Sequence, residues 1–144
     1  MSLVLLWCLG CAVRRVGLVE PAPPPTLRSI EGGFERLALV GEAPSRLAGL
    51  GDHLVEVTAR RTGGRLAVTA FRVLEGPHGL PVWFGPVQVL GSQVGIADQG
   101  SGGLVLVDEA SAEDLRSRSG AWVAAEGFVD GPQRIVVVAW TVAD

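Results

Sequence analysis

The chain has no Lys and no Tyr, and each of its twelve basic residues is Arg. Set against fifteen Asp and Glu, these give a formal net charge of −3. That balance lacks the basic footprint of a general nucleic-acid binder. Cysteine occurs only as Cys8 and Cys11. No disulfide can therefore form within the rest of the chain, and the single Cys-x-x-Cys pair has no second pair to complete a structural zinc site. There are two histidines, His53 and His78, the first opening a β run and the second inside a Gly-Pro-His-Gly turn. No Ser-His-Asp order with a nucleophile elbow is present, and Gly100-Ser101-Gly102-Gly103 lacks the Lys and following helix of a phosphate loop. Asp98 and Asp108 flank a turn, where aspartate is an ordinary residue and a poor cation site by itself. These absences read as a protein without catalytic residues, metal ligands or a cofactor.

What is there favours β structure. Hydrophobic residues make up 48% of 144 residues, enough for a core, and 20 Gly with 9 Pro break up long helices. His53 to Arg60 alternates, with Val55, Val57 and Ala59 on one face. After the turn Thr62-Gly63-Gly64-Arg65, Leu66 to Leu74 is a second β run. Leu66, Val68 and Ala70 are expected on one of its faces and Phe71 and Val73 on the other. Phe34 to Val40 reads as an extra strand or a short helix, and Gly41 to Gly51 as loop.

The most strongly patterned stretch runs from Val94 to Asp108: a strand, the glycine-rich turn 99–103, and the unbroken apolar run Leu104 to Val107. A helix is predicted over Ser111 to Ser119, capped by Ser111 and ended by Gly120. A hairpin then follows, Ala121 to Val129 and Arg134 to Val142. Val55, Val57, Ile96, Leu104 or Val105, Val123 and Val137 or Val138 are expected to share one core. No internal repeat is visible.

Residues 75–92 hold three prolines and four glycines, which argues against a long regular element. The same loop carries Leu80, Val82, Trp83, Phe84 and Val87. It reads either as a plug for the core, the favoured reading, or as an apolar ligand surface with His78, Trp83 and Phe84 as contact residues.

The order strand, tight turn, strand, helix, strand, strand resembles an OB-fold over residues 52–144. The matching pieces are Val94–Asp98, Leu104–Asp108, Ser111–Ser119, Ala121–Val129 and Arg134–Val142. The resemblance implies an all-β domain with small α content. It would be a five-stranded Greek-key barrel with a short helix between strands 3 and 4. The hairpin also distantly resembles the membrane-anchored accessory domain of E3-ligase-like proteins, whose catalytic RING segment has no counterpart here.

At the other end, Ser2 to Val13 is apolar and shorter than the roughly 20 residues of a membrane-spanning helix. Leu9-Gly10-Cys11 within it resembles the lipobox of bacterial lipoproteins. In that family the signal is cut before the cysteine, which then carries a diacylglycerol. Cys8 stands where the family usually has Leu, and no basic residue precedes the apolar run. Without the resemblance, the segment reads as a hydrophobic stretch that packs on the domain.

The expected organisation is a signal peptide over residues 1–10, a Pro-rich tether over 11–33 and the barrel domain over 34–144, with lipidation at Cys11. The function this implies is a non-enzymatic, membrane-anchored protein of the bacterial envelope, facing the periplasm or exterior and binding a protein or saccharide partner. The alternative is a soluble OB-fold protein for single-stranded nucleic acid. Nucleic acid is the less expected partner, because Val94 to Asp108 has neither an aromatic nor an Arg.

Overall fold

A computed structural model describes residues 12–143 apart from Ala22, Gly32, Phe34 and Glu42. The chain is mostly β, with two short helices. Its ten strands form two five-stranded sheets, and each sheet closes on itself. The first holds β1 (Ala12–Glu20), β2 (Thr26–Ser29), β3 (Arg36–Gly41), β4 (Leu54–Thr62) and β5 (Arg65–Glu75). Its spatial order is β1-β2-β3-β5-β4, with β4 pairing back to β1. The second holds β6 (Val82–Leu90), β7 (Gln93–Ala97), β8 (Leu104–Val107), β9 (Trp122–Gly131) and β10 (Arg134–Val142). Here the order is β6-β7-β8-β10-β9, closed between β9 and β6. In each sheet one pair is parallel, β3 with β5 and β8 with β10. Helix α1 (Pro44–Ala48) lies between β3 and β4, and α2 (Glu109–Leu115) between β8 and β9.

These two sheets replace the single barrel expected over 34–144. The expected tether over 11–33 is also overturned from Ala12 onward. Residues 12–18 of β1 pair with β4, and residues 17–20 pair with β2. Pro21 and Pro23 to Pro25 occupy the connection between β1 and β2, where their missing N–H groups break no ladder. The signal-peptide segment 1–10 and the lipidation candidate Cys11 lie outside the described residues.

The two halves are structural repeats. Gly17 and Gly85, Val19 and Val87, Leu47 and Leu115, and Val55 and Val123 stand 68 positions apart, and every one of them is buried. The hydrogen bonds repeat with them. Val19 N–H donates to His53 C=O as Val87 N–H donates to Ala121 C=O, and Asp52 N–H donates to Val19 C=O as Gly120 N–H donates to Val87 C=O. A register shift in the β4–β5 pairing, at Thr69, recurs in β9–β10 at Val138.

That shift explains why the faces expected for β5 do not hold along its length. Leu66 and Val68 point inward, Thr69 is the extra residue, and Phe71 and Val73 then take the inner row while Ala70 is exposed.

The element expected least was β6, in the stretch read as irregular. Its first half pairs with β9 up to Pro86, and its second half pairs with β7 from Val87. The strand bends where it changes partners. Gly85 sits at the bend, because a Cβ there would lie 1.8 Å from the Ala97 carbonyl oxygen. Gly17 does the same in β1, where a Cβ would meet the Arg28 carbonyl oxygen at 2.4 Å.

Two cores result, so the residues expected to share one are divided. Val55 and Val57 belong to the first, with Leu27, Leu37, Leu39, Leu47 and Leu66. Ile96, Val105 and Val123 belong to the second, with Leu115 and Ile135, and Val137 packs against it. Val138, at the bulge, is exposed. Burying each leucine contributes about 1.5–3 kcal/mol. Phe84, Ala124 and Ala143, all from the second half, complete the first core. Phe84 stacks between Phe71 and Trp122 at centroid distances of 5.5 and 5.3 Å. The Arg46 guanidinium of α1 lies 3.9 Å over the Trp122 ring. The two halves are therefore packed together through apolar side chains.

Helix α2 starts earlier than expected. Its cap is Asp108, whose carboxylate accepts the Ser111 N–H, and Ser111 is inside the helix. The second Asp108 oxygen accepts the Val137 N–H. Burial pushes this carboxyl up, but the bonds from Val137 and Ser111 outweigh it and hold it below its ordinary value. A 3-10 turn, Arg116–Arg118, follows α2.

Candidate functional site

The three residues expected to form one contact loop are separated. Trp83 and Phe84 are neighbours on β6, so their side chains leave opposite faces of the strand. Phe84 is buried in the first core and forms part of the wall of an open cleft with Phe71, Val73 and Asp98. Trp83 packs partly against the second core and lines its open end. His78 sits in the connection between β5 and β6, held by Glu126 of β9.

Glu126 was missed by sequence reasoning. It lies on a strand between Ala125 and Gly127, with nothing nearby to mark it. Its equivalent in the first half is Thr58, and each stands directly beside its own register shift. The side chain is 1% exposed. One oxygen accepts the N–H groups of His78 and Leu80 at 2.8 and 3.0 Å, and the other accepts from His78 Nδ1 at 2.9 Å. An ionised carboxylate has no proton to give, so Nδ1 carries the hydrogen. Burial pushes the carboxyl up, but the His78 ring, the two backbone N–H groups and the histidine charge pull it down further. The net position is below the ordinary glutamate value. Gly76 adjoins the same carboxylate, which a Cβ there would strike. This group fastens the inter-unit connection, with both carboxylate oxygens engaged.

Asp98 is engaged likewise, accepting the N–H groups of Phe84 and Ser101 at 3.1 and 2.9 Å. Asp98 and Asp108 each serve a local backbone role. His53 is buried, its Nδ1 3.0 Å from the Gly51 carbonyl oxygen. Among the described residues no three His, Cys, Asp or Glu side chains are grouped to hold a metal ion. Among the same residues no helix is long and apolar enough to cross a membrane.

A mainly apolar cleft lies at the end of the second sheet opposite α2. There β6, β8 and β10 begin and β7 and β9 end. It encloses about 360 Å³ between Trp83, Leu104, Val105, Val129 and Ile135. Ser101, Gln133 and Arg134 edge it. Val129 is 68% exposed, and the neighbouring Phe128 and Val138 are half-exposed. Apolar side chains this open on a hairpin are costly in water unless something covers them. The other end of the sheet is closed by Ala112 and Leu115 of α2.

No protein-family model matches the chain, and neither a curated protein nor a solved structure matches it.

Proposed function

We propose that each half of the chain is an OB-like Greek-key barrel. The strand order β1-β2-β3-β5-β4, the parallel pairing of third and fifth strands and the helix between third and fourth support this reading in both halves. On this reading the chain is a non-enzymatic, lipid-anchored envelope protein. Its second barrel binds a partner at the mouth lined by Trp83 and Val129.

The single observation that carries the binding reading is that mouth: an apolar cavity beside a hairpin tip that exposes Phe128 and Val129. Trp83, Leu104, Val105, Val129 and Ile135 form half of its lining, which suits an apolar side chain of a protein better than a saccharide. The anchoring part rests on Leu9-Gly10-Cys11.

The nucleic-acid alternative gains one argument, the charge split between the halves. Residues 12–75 hold nine Arg against seven Asp and Glu, and residues 82–144 hold three against eight. It loses another, because Phe71, Phe84 and Trp122 are stacked on one another in the interface instead of offering free faces.

The test is site-specific photo-crosslinking in cells from position 129. A protein adduct that disappears in Trp83→Ala supports the mouth as the site. An adduct pattern unchanged by Trp83→Ala removes it.

A further inference from the structure

Five of the nine arginines of the first half are gathered at one end. Strand β1 enters there, β4 leaves and β5 begins. Ala12 pairs with Arg60, Arg14 with Thr58 and Arg15 with Val57. Arg61 pairs with Leu66, and Thr62 with Arg65. With strands about 4.8 Å apart and a rise of about 3.3 Å per residue, neighbouring members of the set Arg14, Arg15, Arg60, Arg61 and Arg65 lie within about one Debye length of each other, and the whole set spans about two. All but the partly buried Arg15 are exposed. Of these five, only Arg61 has an ion-pair partner among the described residues, Glu35. Glu31 and Glu35, in the β2–β3 connection, and Glu56, itself paired with Arg72, are nearby carboxylates, so the rim keeps an excess of three positive charges.

Two further facts give this rim a direction. The apolar segment 2–11 joins the fold at Ala12, in the middle of the rim, and residue 11 is one peptide unit away, about 3.8 Å between Cα atoms. The second half carries an excess of five negative charges, so an anionic surface that attracts the first half repels the second.

We propose that the Arg14, Arg15, Arg60, Arg61 and Arg65 rim docks on anionic phospholipid headgroups and holds the first unit end-on against the membrane. This deepens the lipid-anchor reading and rests on it for its biological setting. With no spacer between Cys11 and β1, acyl chains on Cys11 would bring the rim into the headgroup layer. The mouth at Trp83 would then belong to the half that the membrane repels, free for a partner. Each basic side chain close to an anionic surface adds on the order of fivefold to binding, and the effect is lost at high salt.

The experiment uses the full-length Cys11→Ser chain, which cannot be acylated at that position. Its binding to phosphatidylcholine vesicles with and without phosphatidylglycerol is measured by sedimentation at low and high salt. The expected result is a preference for phosphatidylglycerol that salt abolishes. The triple variant Arg14→Gln, Arg60→Gln, Arg65→Gln should weaken binding about a hundredfold. Arg118→Gln, in the second half, should leave it unchanged. Equal binding to both vesicle types overturns the proposal, as does a triple variant that binds like its parent while melting normally. Single-stranded DNA that displaces the vesicles by binding the same arginines also overturns it. Acylation plays no part in these outcomes, so a failure of the lipid anchor itself appears separately, in the mass of the native N-terminal peptide.

Discussion

Glu126 and His78 are joined twice, through the histidine backbone N–H at 2.8 Å and through ring Nδ1 at 2.9 Å. One buried carboxylate on a strand of the second unit thereby fixes the connection that leaves the first. Its folded value lies below the ordinary one, so the stability it supplies is complete above the unfolded glutamate value of about 4.3 and is lost as pH falls through the lower folded value. Thermal melts between pH 7 and pH 3 should show a falling Tm below about 4.3, and Glu126→Gln should flatten that fall. Glu126→Ala at pH 7 should cost about 2–4 kcal/mol, because the His78 and Leu80 N–H groups lose their partner. A Tm that falls as steeply in Glu126→Gln as in the parent would assign the acid sensitivity elsewhere, Asp108 being the other carboxyl held low.

Phe84 belongs by sequence to the second unit and by packing to the first core. Phe84→Ala should cost about 3–5 kcal/mol and remove the stack between Phe71 and Trp122. Val57→Ala and Ile96→Ala, one in each core, should each cost on the order of 1–4 kcal/mol. The two kinds of variant differ in shape of transition. Calorimetry should show one transition for the parent and for Val57→Ala, and two for Phe84→Ala. A single sharp transition in all of them would mean that other contacts couple the units.

Gly85→Ala should be among the most damaging single-methyl additions in the chain. The new Cβ would sit 1.8 Å from the Ala97 carbonyl oxygen, and backbone on both sides would have to move. The expected loss is about 3 kcal/mol or more. Gly64→Ala is the matched control, since nothing lies within 4 Å of a Cβ there. It should fall within about 0.5 kcal/mol of the parent or stabilise slightly. Urea denaturation of the two variants side by side checks both, and equal losses would refute the close-approach argument.

Cys11→Ser should prevent lipid attachment and shift the protein from the membrane fraction to a soluble or uncleaved form. Cys8→Ser should leave anchoring intact, because residue 8 would be discarded with the signal. Cell fractionation with mass spectrometry of the N-terminal peptide distinguishes the two. Normal processing and membrane retention of Cys11→Ser would end the lipoprotein reading.

Elements whose inner row is uninterrupted were legible in the sequence. Val55, Val57 and Ala59 on β4 follow simple alternation, and the β9–β10 hairpin was marked by two apolar runs with a turn between them. Strand β1 did not, because Arg14 and Arg15 stand side by side, Arg15 occupies an inner-row position at the rim, and the prolines after it suggested a spacer. Strand β6 was hidden by Gly85 and Pro86, which mark a change of pairing partner where breakers normally mark an end. The repeat was hidden because its equivalent positions often differ in chemistry, as Thr58 and Glu126 do. At the candidate site, adjacency in sequence grouped Trp83 with Phe84, and the period-two geometry of a strand sent them to different cores. Glu126 gave no signal, since its role depends on a connection 46 residues away at Leu80.

Ala143 has a consequence for how the protein is made. It is fully buried in the first core, against Gly49, where a Cβ on the glycine would come within 2.8 Å of the Ala143 Cα. All five strands of the first unit leave the ribosome long before residue 143 does. During translation that unit can close its ladders, yet its core stays open on the side that Phe84, Ala124 and Ala143 later cover. A nascent chain stalled short of residue 143 would display that apolar face to chaperones, although every hydrogen-bonded strand beneath it was already in place.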